Sequence, residues 1–157
     1  MNGTERTEIR ALDRKDLSSL LELYAQLDEG NAELSPEESE KLWENEIEGN
    51  RHIRYFGAVE NGRVVSTCYA VIIPNLTRGN RPICFIENVV TDRAHRNRGL
   101  AAAVMKQAIL FARENNCYKA ILQSGTARTD AHRFYEGIGF RGDTKKAFDM
   151  RLEDSRK

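Results

Sequence analysis

The sequence predicts an α/β domain in which helices pack on a mixed β-sheet. Period-two alternation and apolar residues spaced three and four apart succeed one another along the chain of 157 residues. They do so in the order β-α-α-β-β-β-α-β-α-β. One strand, residues 83–91, is apolar nearly throughout and so reads as central, covered on both faces. A long helix follows it, and the total length suits one domain over residues 1–157.

Each element has a local reason. Residues 7–12 alternate polar and apolar side chains and read as the first strand. Asp13 then offers an N-cap, with Asp16 three residues on, and Leu17, Leu20, Leu21, Tyr24 and Leu27 mark one face of an amphipathic helix. Ser35-Pro36-Glu37-Glu38 starts a second helix, with a serine N-cap, a proline in the first turn and a glutamate placed for a capping box. Leu42, Trp43 and Ile47 form its apolar stripe, and Gly49 can end it. Residues 55–60 form a strand running into Asn61-Gly62, a pair that tolerates the positive φ of a two-residue hairpin turn. The return strand spans 64–73 and stops at Pro74. A loop, 75–82, leads to the strand 83–91, whose polar interruptions are Glu87 and Asn88. Residues 99–115 form the clearest helix, with Leu100, Val104, Ala108 and Phe111 along one side. Residues 119–123 read as a short buried strand, 129–136 as a short helix stopped by Gly137 and Gly139, and 148–152 as a final strand. The charged tail, 153–157, is expected to fray.

Composition excludes several classes. The formal net charge is zero, so there is no basic surplus for nucleic acid. No apolar run approaches the roughly 20 residues of a membrane helix, and no apolar signal region follows the first residues. A cytoplasmic protein with no membrane partner is expected. Cys68, Cys84 and Cys117 lack a CxxC spacing and are expected to behave as small buried hydrophobes. His52, His95 and His132 show no metal-ligand spacing, so no metal is expected. Charge is unevenly distributed: residues 1–50 carry a net of −9 and residues 51–157 a net of +9. An acidic face attracts a cationic amine and a basic face an anionic cofactor, although solvated helix faces also produce such runs.

The stretch from Val89 to Ala101 is the most informative. A strand ends, a basic loop follows, and a helix begins at a glycine. A helix start presents unpaired N–H groups and the positive end of the helix dipole, and so can hold a phosphate. Gly99 permits close approach, Ala101 keeps the next turn small, and Arg93, Arg96 and Arg98 add positive charge. An ordinary glycine cap with solvated arginines is the other reading. The sequence contains no P-loop, no G-x-G-x-x-G after the first strand and no G-x-S-x-G.

Arg96-Asn97-Arg98-Gly99-Leu100-Ala101 resembles the R/Q-x-x-G-x-G/A signature of the GNAT superfamily of acyl-CoA-dependent N-acyltransferases. Phe134-Tyr135-Glu136-Gly137-Ile138-Gly139-Phe140 resembles the later F-Y-x-x-x-G-F segment of that family, at the expected distance. The resemblance spans residues 7–152. Ile86-Glu87-Asn88-Val89-Val90 together with residues 117–122 is similar to glucosamine-6-phosphate N-acetyltransferase-like members, with Asn88 where those enzymes usually carry an acidic residue.

The resemblance implies a GNAT fold: a central mixed, mostly antiparallel, splayed β-sheet flanked by helices. It implies acetyl-CoA as cosubstrate, held by the backbone of Val89, Val90 and Thr91 and by the loop Arg96, Asn97, Arg98, Gly99, Leu100 and Ala101, with the Tyr135 ring beside the pantetheine arm. It also implies direct attack of a primary amine on the thioester. Amine deprotonation, oxyanion donors and protonation of the thiolate assist such a step. Glu87 is the candidate base, because a carboxylate on an apolar strand is costly unless it faces a cavity or a partner. A structural or substrate-binding carboxylate is the other reading. Tyr135 is the candidate acid, or else a core tyrosine. Asn88 is expected on the opposite strand face from Glu87, and it, Arg78 and Arg81 are candidate acceptor contacts. The acceptor is expected to be a small-molecule amine, an amino sugar phosphate or amino acid. A protein or peptide N-acetyltransferase and a non-catalytic acyl-CoA-binding sensor module are the alternatives. A homodimer is expected, with the last strand and residues 141–146 contributing.

Overall fold

A computed structural model describes residues 6–27 and 35–152. The chain forms two compact units, Met1–Leu122 and Gln123–Lys157. The first unit holds a five-stranded sheet in the order β1 (Glu8–Ala11), β2 (Ile53–Glu60), β3 (Arg63–Ile73), β4 (Ile83–Thr91), β5 (Lys119–Ile121). Strands β1 to β4 run antiparallel to one another in succession, and β5 runs parallel to β4. A parallel neighbour requires a crossover, and the helix α3 (Leu100–Glu114) provides it. Strand β4, expected over 83–91 as central, lies inside the sheet, paired with β3 on one edge and the short β5 on the other, and β3 is the middle strand of the five.

The two faces have separate covers. On one face α1 (Leu17–Tyr24) and Trp43, which directly follows α2 (Pro36–Leu42), meet Leu12, Val59, Val64 and Val90 in a buried cluster. Gly57 lies under Leu12, and a Cβ there would come within 2.8 Å of a Leu12 methyl carbon. On the other face the Phe111 ring of α3 meets Phe56 edge-on, with centroids 5.9 Å apart. Val104, Met105 and Ala108 of α3 are fully buried.

The helix and turn signals hold where the chain itself supplies the partner. The Asp13 and Asp16 side chains form a reciprocal capping box, around a 3₁₀ turn that leads into α1. The Ser35 hydroxyl accepts from the Glu38 N–H, and Asn61 (φ 49) and Gly62 (φ 76) make the hairpin turn. The apolar stripe of the second helix departs from expectation. Leu42 is 56% exposed while Trp43 is buried. Residues 43–47 form a π-helical turn, closed by the Glu48 N–H on the Trp43 carbonyl, and the wider turn shifts the residues that face the core. Strand β5 is shorter than predicted, with Lys119 exposed and Ala120 and Ile121 half-buried. Leu27 packs against the buried cluster beyond the end of α1, and the charged tail 153–157 lies outside the described residues.

The second unit contains α4 (Thr129–Gly137), closed by the Phe140 N–H on the Tyr135 carbonyl, with Gly139 at φ 108. Residues 148–152 do not form the predicted strand. Phe148, Met150 and Leu152 are 84%, 81% and 87% exposed. Alternation marks which side chains a strand would bury, but a strand also needs a ladder partner, and the described residues supply none there.

Candidate active site

The site begins with an irregularity in β4. Tyr69 of β3 faces Glu87, and Thr67 faces Val90. Between these pairs β3 has one residue, Cys68, while β4 has two, Asn88 and Val89. This is a β-bulge, and Asn88 takes the left-handed conformation it needs, at φ 50. Asparagine is among the few side chains that tolerate that region. The extra residue turns the strand over, so Glu87 before it and Val90 after it face the same side, the one covered by α1. Asn88 belongs to that side too: its amide interacts with the hydroxyl of Tyr24 on α1. The expectation that Asn88 and Glu87 occupy opposite faces is thus overturned by the bulge.

Aromatic rings adjoin this pair. Tyr55 and Tyr69 stack at 4.7 Å with planes 12° apart, and Trp43 is tilted against Tyr55 at 5.2 Å. Burial pushes the Tyr55 phenol up to about 12. Burial and the negative charge of Glu87 push the Tyr69 phenol up from its ordinary value. These hydroxyls stay protonated across the neutral range and can only donate to, or accept from, a neighbour. Glu87 itself is half-buried.

The second feature is the edge of β4. Strand β5 pairs only with Ile83, Cys84 and Phe85. From Ile86 to Thr91 that edge has no ladder partner among the described residues, as a splayed sheet would require. The strand then passes into the basic loop. Asn97 (φ 61) and Gly99 (φ 74) are both left-handed, and α3 starts at Leu100. A Cβ built on Gly99 meets no atom within 4 Å, so its glycine answers to backbone conformation and to open space above the helix start. The N–H groups of the first turn have no intrahelical partner. Ala101 and Ala102 keep that turn small. The loop and helix start therefore fit a diphosphate.

The arginines of the loop are used differently from one another. Arg96 donates from Nε to the Thr91 carbonyl at 3.3 Å, tying the loop to the strand end. Arg98 turns inward. Its Nη1 and Nη2 donate to the two carboxylate oxygens of Glu60, at 3.2 and 2.7 Å. The Glu60 carboxylate thereby offsets part of its charge, while the Arg98 side chain stays 41% exposed. Val90 and Leu100 are buried, so they can offer only backbone.

Three further residues were considered in sequence. Arg81 donates to the carbonyls of Asn116 and Cys117, at 3.2 and 3.1 Å, beyond the C-terminal end of α3. Arg78 lies over the Tyr118 ring at 5.8 Å. Both precede the start of β4, and Glu87 is the fifth of its nine residues, about 13 Å along the strand. In these contacts the two arginines are engaged at the connection between α3 and β5 rather than with Glu87. In the second unit the Tyr135 ring is buried against Phe134 and Phe140, at 5.2 and 6.2 Å. On the same helix His132 donates to the Gly125 carbonyl at 2.8 Å.

Comparison with known proteins agrees with this geometry. Residues 17–140 match the model of the acetyltransferase (GNAT) family. A glucosamine 6-phosphate N-acetyltransferase of Trypanosoma brucei brucei is 34% identical over 146 residues, covering 93% of this chain and 95% of the relative. A solved protein of Agrobacterium tumefaciens str. C58 superposes with a TM-score of 0.85 at 40% identity, covering 92% of this chain and 99% of its own. A solved Trypanosoma brucei acetyltransferase gives a TM-score of 0.78 at 33% identity, with 94% and 99% covered. With a family match over most of its length and relatives this similar along nearly the whole chain, the chain belongs to the acetyltransferase (GNAT) family as an acetyl-CoA-dependent N-acetyltransferase.

Proposed function

We propose that this enzyme acetylates the primary amine of a small molecule, with an amino sugar phosphate as the first acceptor to test. The observation that carries the reading is the bulge at Asn88. It sets a carboxylate and an amide side by side on one face of β4, beside an unpaired strand edge that leads to a phosphate-sized helix start. The trypanosomal relative, named for glucosamine 6-phosphate, supports the acceptor class.

Acetyl-CoA supplies the activated acetyl thioester. The backbone of Val89, Val90 and Thr91 holds the pantetheine arm, and the amides of Arg98 to Ala101 receive the diphosphate. Glu87 takes a proton from the acceptor's ammonium, directly or through water, so that the neutral amine attacks, and Asn88 orients the acceptor. Tyr135 returns a proton to the departing sulfur, a role supported by its place in the F-Y-x-x-x-G-F segment. Two catalytic groups of opposite function suit this reaction, since an amine nucleophile is protonated at neutral pH and a thiolate leaves more readily when it receives a proton.

The test is a comparison of kcat/KM for glucosamine 6-phosphate, glucosamine, free amino acids and peptide N-termini, read as thiol release. The proposal expects the phosphorylated amino sugar to exceed the peptides by tenfold or more. Preference for peptides would move the acceptor to proteins. The homodimer is a separate part of the proposal, tested by a light-scattering mass at twice 17.9 kDa.

A further inference from the structure

Glu60 is the last residue of β2, and its side chain is only 3% exposed. Its carboxylate accepts both Arg98 hydrogen bonds and a third from the Thr7 hydroxyl at 2.6 Å. His95 Nε2 approaches it at 3.5 Å, and the other ring nitrogen of His95 is hydrogen-bonded to Asp92. Asp92 in turn accepts from the Gln26 side chain at 2.5 Å, and the Gln26 carbonyl oxygen accepts the Arg93 N–H at 3.1 Å. One connected network therefore grips the loop from 92 to 98 at both ends. It reaches back to β1, β2 and the end of α1, none of which carries the anion signature.

We propose that Glu60 is a positioning residue for the cofactor loop: through Arg98 and His95 it holds the backbone amides before α3 in the arrangement that receives the diphosphate of acetyl-CoA. The inference rests on the reading of that loop as the diphosphate site. A buried carboxylate is retained at cost unless it is fully paired, and among the described residues this one is paired to the loop and Thr7. Asn97 and Gly99 are both left-handed, and asparagine and glycine are the residues with most freedom to enter and leave that region, so the turn is not fixed by its own backbone. Arg98 is the side chain between them, so the grip acts at the point where the chain would otherwise relax. Glu60 itself touches neither the acetyl group nor the acceptor in this reading.

Removing the diphosphate, together with the nucleotide it carries, from the ligand separates positioning from general structural support. The experiment measures dissociation constants of acetyl-CoA and of S-acetylpantetheine, which lacks the nucleotide and its phosphates, by calorimetry with displacement where binding is weak. For the wild type, acetyl-CoA should bind far more tightly. Glu60→Gln keeps the shape and removes the charge, and should weaken acetyl-CoA about 3- to 30-fold while leaving S-acetylpantetheine unchanged. Gln26→Ala, at the other grip and half-exposed, should give the same pattern with a smaller ratio, and decides the matter if Glu60→Gln does not fold. Equal weakening of both ligands, or an unchanged preference, overturns the positioning role. A wild type that binds both ligands alike overturns the diphosphate reading itself, and the inference with it.

Discussion

Replacing Gly99 separates the backbone demand of the helix start from its use as an anion site. Gly99 has φ +74, and an L-residue held in that region costs about 1–2 kcal/mol. No protein atom lies within 4 Å of the added Cβ, so that backbone term is the whole of the folding cost for Gly99→Ala. For a protein of this size it corresponds to a fall in Tm of about 2–8 °C. Gly99→Glu incurs the same strain, but a carboxylate at a helix N-terminus recovers about 0.3–1 kcal/mol. The glutamate variant should therefore be no less stable than the alanine variant. Binding should separate them the other way. A carboxylate about 4 Å from a phosphate charge, at an effective dielectric near 20, opposes it by about 4 kcal/mol. That amounts to roughly a thousandfold in affinity relative to Gly99→Ala. Calorimetric titration of acetyl-CoA into both folded variants, with thermal melts alongside, measures the two terms. If the two variants bind acetyl-CoA within threefold of each other, the helix start is not the diphosphate site.

The other predictions concern protons. Glu87→Gln should slow turnover most at neutral pH, where an acceptor ammonium must lose its proton (a lysine-like amine, with a pKa near 10.4, is almost fully protonated there), and raising the pH should partly restore it. A pH–rate profile superimposable on that of the wild type removes Glu87 as the base. Tyr135→Phe keeps the buried ring, so acetyl-CoA affinity should persist while kcat falls by about a hundredfold, the low end for general acid catalysis. Full kcat with chemistry rate-limiting would leave Tyr135 as packing alone. The Arg98 and Thr7 hydrogen bonds hold the Glu60 carboxyl below the usual carboxylate range, and the Gln26 and His95 hydrogen bonds do the same for Asp92. Both groups have folded values below their unfolded ones. Their contribution is present above the ordinary range, near pH 4, and is lost as pH falls through the folded values. Tm measured from pH 7 to pH 3 should drop at the acid end, and Glu60→Gln should flatten that drop; an equal slope in both proteins would show that the pair adds no stability.

Much of this was legible in the sequence because the signals are local. Asn61-Gly62, the Ser35 cap and the Gly99 helix start each specify their own backbone, and each stands where it was expected. The bulge was only half legible. An asparagine inside an apolar strand is a usable sign, since it tolerates left-handed φ, but the register of β3 against β4 decides whether a residue is extra. The Glu60–Arg98 pair was not legible. Its members are 38 positions apart, and Glu60 looks like an ordinary polar end to a strand before a turn. Residues 148–152 fail in the opposite sense: their alternation is clear, yet pairing is a property of the neighbour, and Phe148, Met150 and Leu152 remain exposed.

The measurement that bears most directly on the account follows both products of one reaction: free CoA thiol and the N-acetylated amine, with acetyl-CoA and glucosamine 6-phosphate supplied together and each supplied alone. The account predicts that thiol and N-acetylated product appear in equal amounts, only when both substrates are present, and that Glu87→Gln slows both alike. Tight binding of acetyl-CoA with no thiol released, from this amine or any other offered, would contradict it and leave the chain as an acyl-CoA-binding module.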